Sequence, residues 1–146
     1  MPQHLTSFDV KSYLQDQLGE RPPLASVQIN YGIPSESVER SCIWLASVEG
    51  QFAVATMKAG RKHRDCEYTL LIVLDVELQA ATSKEAEERV HAYHAELDDL
   101  LAEDASLGGL VQAAHLDGFE MPLSYTAEGS SFARIEQRVL VSNRLT

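Results

Sequence analysis

The sequence predicts an α+β fold, with a mixed or largely antiparallel β-sheet packed by two main helices. Three observations carry this. The run Tyr68–Leu78 is strand-like and apolar on both faces at its middle. Residues 82–104 repeat apolar positions at helical spacing. The remaining strand-like stretches are joined by turns of hairpin length. The expected order is α-β-β-β-β-α-β-β within one domain, residues 1–146, a length that buries a core without staples.

The first helix has Thr6 or Ser7 as a cap, apolar Val10, Tyr13, Leu14 and Leu18 on one side, and Gly19 as its stop. Pro22 and Pro23 then force an extended connection, because proline lacks the donor a helix needs. Strict alternation over Val27–Tyr31 predicts a strand, broken by Gly32-Ile33-Pro34-Ser35. Ile43–Val48 and Phe52–Met57 read as a strand pair about a turn at Glu49-Gly50-Gln51, followed by a basic, turn-like segment from Lys58 to Asp65. Tyr68–Leu78 should be the central strand, since apolar residues on both faces mark a strand covered on both sides.

The second helix is the clearest element. Thr82 with Glu85 fits a capping box, and Ala86, Val90, Tyr93, Leu97 and Leu100 form one stripe. Its other face is acidic, with eight carboxylates and two basic residues between Ser83 and Asp104. Asp98, Asp99, Glu103 and Asp104 crowd the C-terminal end, where the helix dipole disfavours negative charge. Ser106-Leu107-Gly108-Gly109 ends the helix. Leu110–Leu116 and Ser131–Val141 are the last two strands, with turns at Asp117–Pro122 and Ala127–Ser130.

Charge excludes whole classes of partner. Twenty-two acidic residues against twelve Lys and Arg leave −10 at pH 7. Such a chain is a poor general binder of nucleic acid, which takes a basic stripe to displace counterions, and a poor ligand for anionic membranes. Met1-Pro2-Gln3-His4 has neither a charged nor an apolar leader region, so no signal peptide is expected. The longest apolar run, Leu70–Leu74, falls far short of the roughly 20 residues that span a bilayer. Cys42 and Cys66 read as reduced thiols serving as small hydrophobes, with a disulfide left open.

Few residues point to chemistry. Glu87, His91 and His94 share a helix at spacings that suit a divalent metal, the basis for a metal-dependent hydrolase as the enzymatic alternative. They lack the His-Glu-x-x-His spacing and a fourth ligand, so a solvated helix face is the plainer reading. No Gly-x-Ser-x-Gly elbow is present, and Gly108-Gly109 follows a helix instead of opening one, so no phosphate loop is offered. The expectation is a protein without catalytic residues, metal or cofactor. The one local reversal of charge lies at Lys58, Arg61, Lys62 and Arg64. These four, with Asp98, Asp99, Glu103 and Asp104, are the candidate inter-subunit or tube contacts. A hairpin loop is the plainer reading of the basic segment and a nucleic-acid contact is a second; in a third, one subunit's basic segment would meet the next subunit's acidic helix, head to tail.

The arrangement resembles the tail terminator (tail completion, minor tail) proteins of long-tailed bacteriophages, siphophages above all. The resemblance runs through Pro22-Pro23 into Val27–Pro34, then Arg64-Asp65-Cys66-Glu67-Tyr68 entering the long strand. It continues through the helix with Ala86, Tyr93 and Leu97, the Asp104-Ala105-Ser106-Leu107-Gly108-Gly109 piece, and the strand end Arg138–Leu145. The resemblance implies a non-enzymatic virion subunit that forms a homo-oligomeric ring, hexameric in the family's usual form. That ring would cap the tail tube protein, stop tube polymerisation and join the head-tail connector protein. DNA would pass through the channel without specific binding. The protein would be assembled in the host cytoplasm and end at the head-proximal tail of the virion. Six copies would carry about −60 in formal charge, repelling DNA near contact although salt screens the effect beyond about 8 Å. A connector or head completion protein of the same virion is the nearest alternative.

Overall fold

The structure, a computed structural model, describes residues 4–33, 41–58 and 61–145, with side chains over 4–33, 41–53 and 64–144. Helix α1 (Ser7–Gly19) leads through a 3-10 turn at Pro22–Leu24 to strands β1 (Gln28–Asn30), β2 (Ser41–Lys58) and β3 (Arg61–Gln79). Helix α2 (Ser83–Glu103) follows, then β4 (Ala113–Glu120), β5 (Tyr125–Ala127) and β6 (Ser130–Leu145). The six strands form one sheet in the order β1-β2-β3-β6-β4, with β5 also on β6. Among the described residues only β1–β2 is parallel, so the sheet is mixed and the class is α+β, as the sequence predicts.

Strand β3 is central, paired with β2 on one side and β6 on the other. Its even-numbered residues, Tyr68, Leu70, Ile72, Leu74 and Val76, are all buried and face the two helices. From α2 the stripe Ala86, Val90, Tyr93, Leu97 and Leu100 is buried against them. Burying each large member of that stripe contributes about 1.5–3 kcal/mol before conformational entropy is charged. The capping box is formed in full: the Thr82 hydroxyl accepts from Glu85 N–H, and the Glu85 carboxylate accepts from Thr82 N–H. A smaller cluster on the helix-free face joins Cys42, Trp44 and Val73. Cys42 and Cys66 form no disulfide with each other, Cys66 belonging to the helix-side core and Cys42 to this opposite cluster.

Three local expectations are corrected. Glu49-Gly50-Gln51 is not a turn; β2 runs straight through it, opposite Thr69, Tyr68 and Glu67 of β3. Gly50 is there because β3 comes too close for a side chain, with room for a Cβ only 2.4 Å from Tyr68 Cβ. Most of the basic segment read as turn-like is strand as well. Lys58 ends β2 and Arg61 opens β3 opposite it, while Ala59 and Gly60 lie outside the described residues, as do Pro34 and Ser35. The stretch read as a turn at Asp117–Pro122 instead prolongs β4 to Glu120, with a register shift between Leu116 and Phe119 where a bulge absorbs the mismatch.

Thr6 sits at the α1 N-cap but caps nothing with its side chain. Its hydroxyl is 3.0 Å from the Tyr68 hydroxyl and accepts from Asn143 Nδ2 at 3.3 Å, all three residues being buried. This polar knot ties the chain's start to β3 and the end of β6. Burial pushes the Tyr68 hydroxyl pKa up to about 12, with the Thr6 hydrogen bond opposing the shift. Among the described residues, no helix is long and apolar enough to cross a membrane.

Candidate interaction surface

The acidic end of α2 divides into two kinds of carboxylate. Asp104 is committed to the fold. One oxygen accepts the Gly108 N–H at 3.0 Å and the other accepts the Tyr13 hydroxyl, which joins the end of α2 to α1. The Gly108 N–H, then the Tyr13 hydroxyl, hold this carboxyl below the usual range, and the same hydrogen bond raises the Tyr13 pKa. Gly108 carries φ +68° and lies against the Tyr13 ring, so the left-handed turn and the close approach both call for glycine here. Glu103 receives Arg21 Nη1 at 3.3 Å, while Arg21 Nε reaches Glu96 at 3.1 Å. Asp98 and Asp99 stand exposed on the outer face of α2.

Glu87, His91 and His94 do not converge. Glu87 accepts the Ser124 hydroxyl at 2.5 Å, His94 Nε2 lies 2.8 Å from Gln137 Oε1, and His91 is exposed. The buried Gln137 passes the contact on, its Nε2 donating to the carbonyls of Asp117, Gly118 and Arg138 and so shaping the β4 bulge. The helix pair of histidine and glutamate therefore holds the far edge of the sheet. Among the described residues, no group of three or more His, Cys, Asp or Glu is placed to hold a metal.

The basic residues map onto an arm. Among the described residues the pairing of β6 with β3 reaches Arg64, and beyond it β2 and β3 pair as a two-stranded hairpin. Lys58 pairs with Arg61 and Met57 with Lys62 near its tip. At its root the Arg64 guanidinium lies 5.1 Å over the Phe52 ring. Phe52 is 52% exposed and Val48 36%, on a stretch of β2 exposed throughout from residue 47 to 53. A two-stranded hairpin alone is marginal in water, so such an arm is a segment that gains from cover.

A second apolar surface was not foreseen. At the β4–β5 edge, Phe119, Leu123 and Tyr125 are 65%, 91% and 55% exposed. Tyr125 stacks on Phe132 at 4.8 Å. Together with Pro122, Leu123, Asp75 and Arg134 they line an open groove of about 450 Å³ on the helix-free face. Its floor is held by Arg134, which grips Asp75 through Nη2 at 3.1 Å and Nε at 3.4 Å and covers the Trp44 ring at 5.2 Å. Exposed apolar residues grouped in this way mark a contact surface. The sequence disguised them as a turn, because Gly118 and Pro122 punctuate the run in which they fall.

Comparison with known proteins places these surfaces in no family. No protein-family model matches the chain, and no curated protein matches it. Solved structures do match at low identity. One, a protein with no functional description, is 17% identical with a TM-score of 0.48 over 94% of this chain and 96% of its own. Another belongs to the virion of a native gene transfer agent particle, 12% identical with a TM-score of 0.43, over 91% of this chain and 94% of its own. Both scores are too low to assign this chain a role.

Proposed function

We propose that this protein is a structural subunit of a tailed-phage-like virion, which assembles with copies of itself into a ring, hexameric by family resemblance. In this reading the ring closes the tail tube, ends its polymerisation and presents a surface to the head connector. The observation that carries the reading is a pair of exposed, apolar surfaces on opposite sides of one sheet, Val48 and Phe52 of β2 at the root of the hairpin arm and the β4–β5 edge. Two different surfaces on one chain make a head-to-tail contact, and such contacts close into rings when the rotation allows. The chain's resemblance to tail terminators supplies the partner, and its charge of −10 suits a channel that DNA must slide through without sticking.

Lys58, Arg61, Lys62 and Arg64 act in docking, as do the exposed Asp98 and Asp99, while Glu103 holds Arg21 and Asp104 shapes the turn after α2. No step of chemistry is assigned to any of them. The experiment is negative-stain imaging of the purified protein with and without tail tubes, beside binding to portal-filled heads. Rings on tube ends support the reading. A compact single particle that ignores tubes sinks it, and rings that bind heads alone would move the role to the connector.

A further inference from the structure

Resting on the ring reading, the geometry points to a specific contact: the basic hairpin arm of one copy seats on the β4–β5 edge of the next copy. Charge is the first argument. Residues 48–64 hold four Lys or Arg and one Glu, whereas residues 113–129 hold Asp117, Glu120 and Glu128 and no Lys or Arg. These segments therefore carry +3 against −3, while Arg134 and Arg138 of β6 beside the edge are engaged by Asp75 and Glu120. Apolar side chains are exposed on both, Val48 and Phe52 on the one and Phe119, Leu123 and Tyr125 on the other. Apolar contact at the centre with opposite charges around it is how protein interfaces gain affinity and register.

Topology makes the contact intermolecular. β5 pairs with the start of β6, and Ser131 there lies opposite Leu78, near the end of β3. The arm springs from the other end of β3, below Arg64. Asp75 in the groove lies eleven residues along β3 from Arg64, roughly 36 Å at about 3.3 Å per residue, with the arm and the groove on opposite sides of the sheet. A chain cannot lay its arm on its own groove, but a second copy can.

The acidic end of α2 is a weaker partner for the arm. Asp104 is spent on Gly108 and Tyr13, and Glu96 and Glu103 are engaged with Arg21. The β4–β5 edge offers apolar Phe119, Leu123 and Tyr125 beside its carboxylates, which the exposed face of α2 does not. Among its carboxylates only Glu120 has a described ion-pair partner, Arg138 at 3.8 Å.

The test uses the full chain and sedimentation velocity over a range of concentrations. One variant reverses the arm (Arg61→Glu with Lys62→Glu); another reverses the edge (Asp117→Lys with Glu128→Lys), leaving the Glu120–Arg138 pair intact. Each alone should drop to single-chain mass where the parent is assembled. Mixed in equal amounts they should reassemble, because every arm then finds an edge of opposite sign. Leu123→Ser, at a 91% exposed site that the fold does not need, should weaken assembly while keeping the melting temperature of the parent at dilutions where both are single chains. If both reversed variants keep the parent's mass, the contact lies elsewhere and the ring reading survives. If the parent is a single chain at every concentration, with tubes or without, the ring reading falls and takes this contact with it.

Discussion

Substituting Gly50 by alanine should destabilise the protein by about 2–3 kcal/mol, although the position is exposed. An added Cβ would stand 2.4 Å from Tyr68 Cβ, 2.6 Å from the Glu67 carbonyl oxygen and 2.7 Å from Tyr68 Cα. All three are backbone or backbone-anchored atoms, so no flexible side-chain tip can yield. The strands must part by about 1 Å to restore ordinary contact, against a general overpacking cost of about 1–3 kcal/mol. Gly50 has no left-handed φ, so the cost is steric and not conformational. The melting temperature should fall by about 5–10 °C, given about 2–4 °C per kcal/mol in a chain of this size. Gly50→Val should cost more. Gly19→Ala is the control: no atom lies within 4 Å of its added Cβ at the end of α1, so stability should hold or rise by up to about 1 kcal/mol. Denaturant unfolding of the three variants reads all of this. If Gly50→Ala unfolds within about 0.5 kcal/mol of the parent, the close approach of β2 to β3 is not real, and the path of the arm's root is wrong with it.

Other expectations follow from the same structure. The raised Tyr68 pKa stabilises the fold fully below the ordinary tyrosine pKa of about 10, and that contribution is lost as pH climbs towards about 12. The loss amounts to about 2–3 kcal/mol. Tyr68→Phe should flatten this alkaline limb, and equal losses in parent and variant between these pH values would contradict it. Asp104→Ala strands the Gly108 N–H and the Tyr13 hydroxyl and should cost about 1–3 kcal/mol by urea unfolding. Because the Asp104 pKa is depressed, its contribution is present above the ordinary carboxylate pKa and fades as pH falls through the lowered one, so parent and variant should converge in acid. Raising salt should lower the assembled mass, since charge pairing between surfaces is screened beyond about 8 Å at physiological ionic strength. A mass unchanged over a wide salt range would remove charge pairing as the force that holds the copies.

How much of this was legible in the sequence depended on the range of the signal. The α2 stripe, the Thr82–Glu85 box and the central place of Tyr68–Leu78 were readable because periodicity and capping are local. Glu49-Gly50-Gln51 misled because a glycine between polar residues has two physical meanings. It permits a turn, or it permits another backbone to come close, and only the pairing partner, Tyr68, decides between them. Thr6 misled in a similar way, since its hydroxyl had a better buried partner than the helix N-terminus. The acidic run at Asp98–Asp104 looked uniform, yet Asp104 is shared between a turn and α1, contacts set by residues up to 91 positions away. The β4–β5 surface escaped because exposure is a property of the assembled sheet, and Phe119, Leu123 and Tyr125 alternate with nothing until β6 lies beside them.

The claim that most needs testing is that the chain acts through its surfaces, by joining copies of itself. Native mass spectrometry of the purified protein, alone and after incubation with tail tubes, measures this directly. The expected result is a closed set of a few copies, six by resemblance, formed by the free protein or on the tubes. A single chain's mass under both conditions would contradict it.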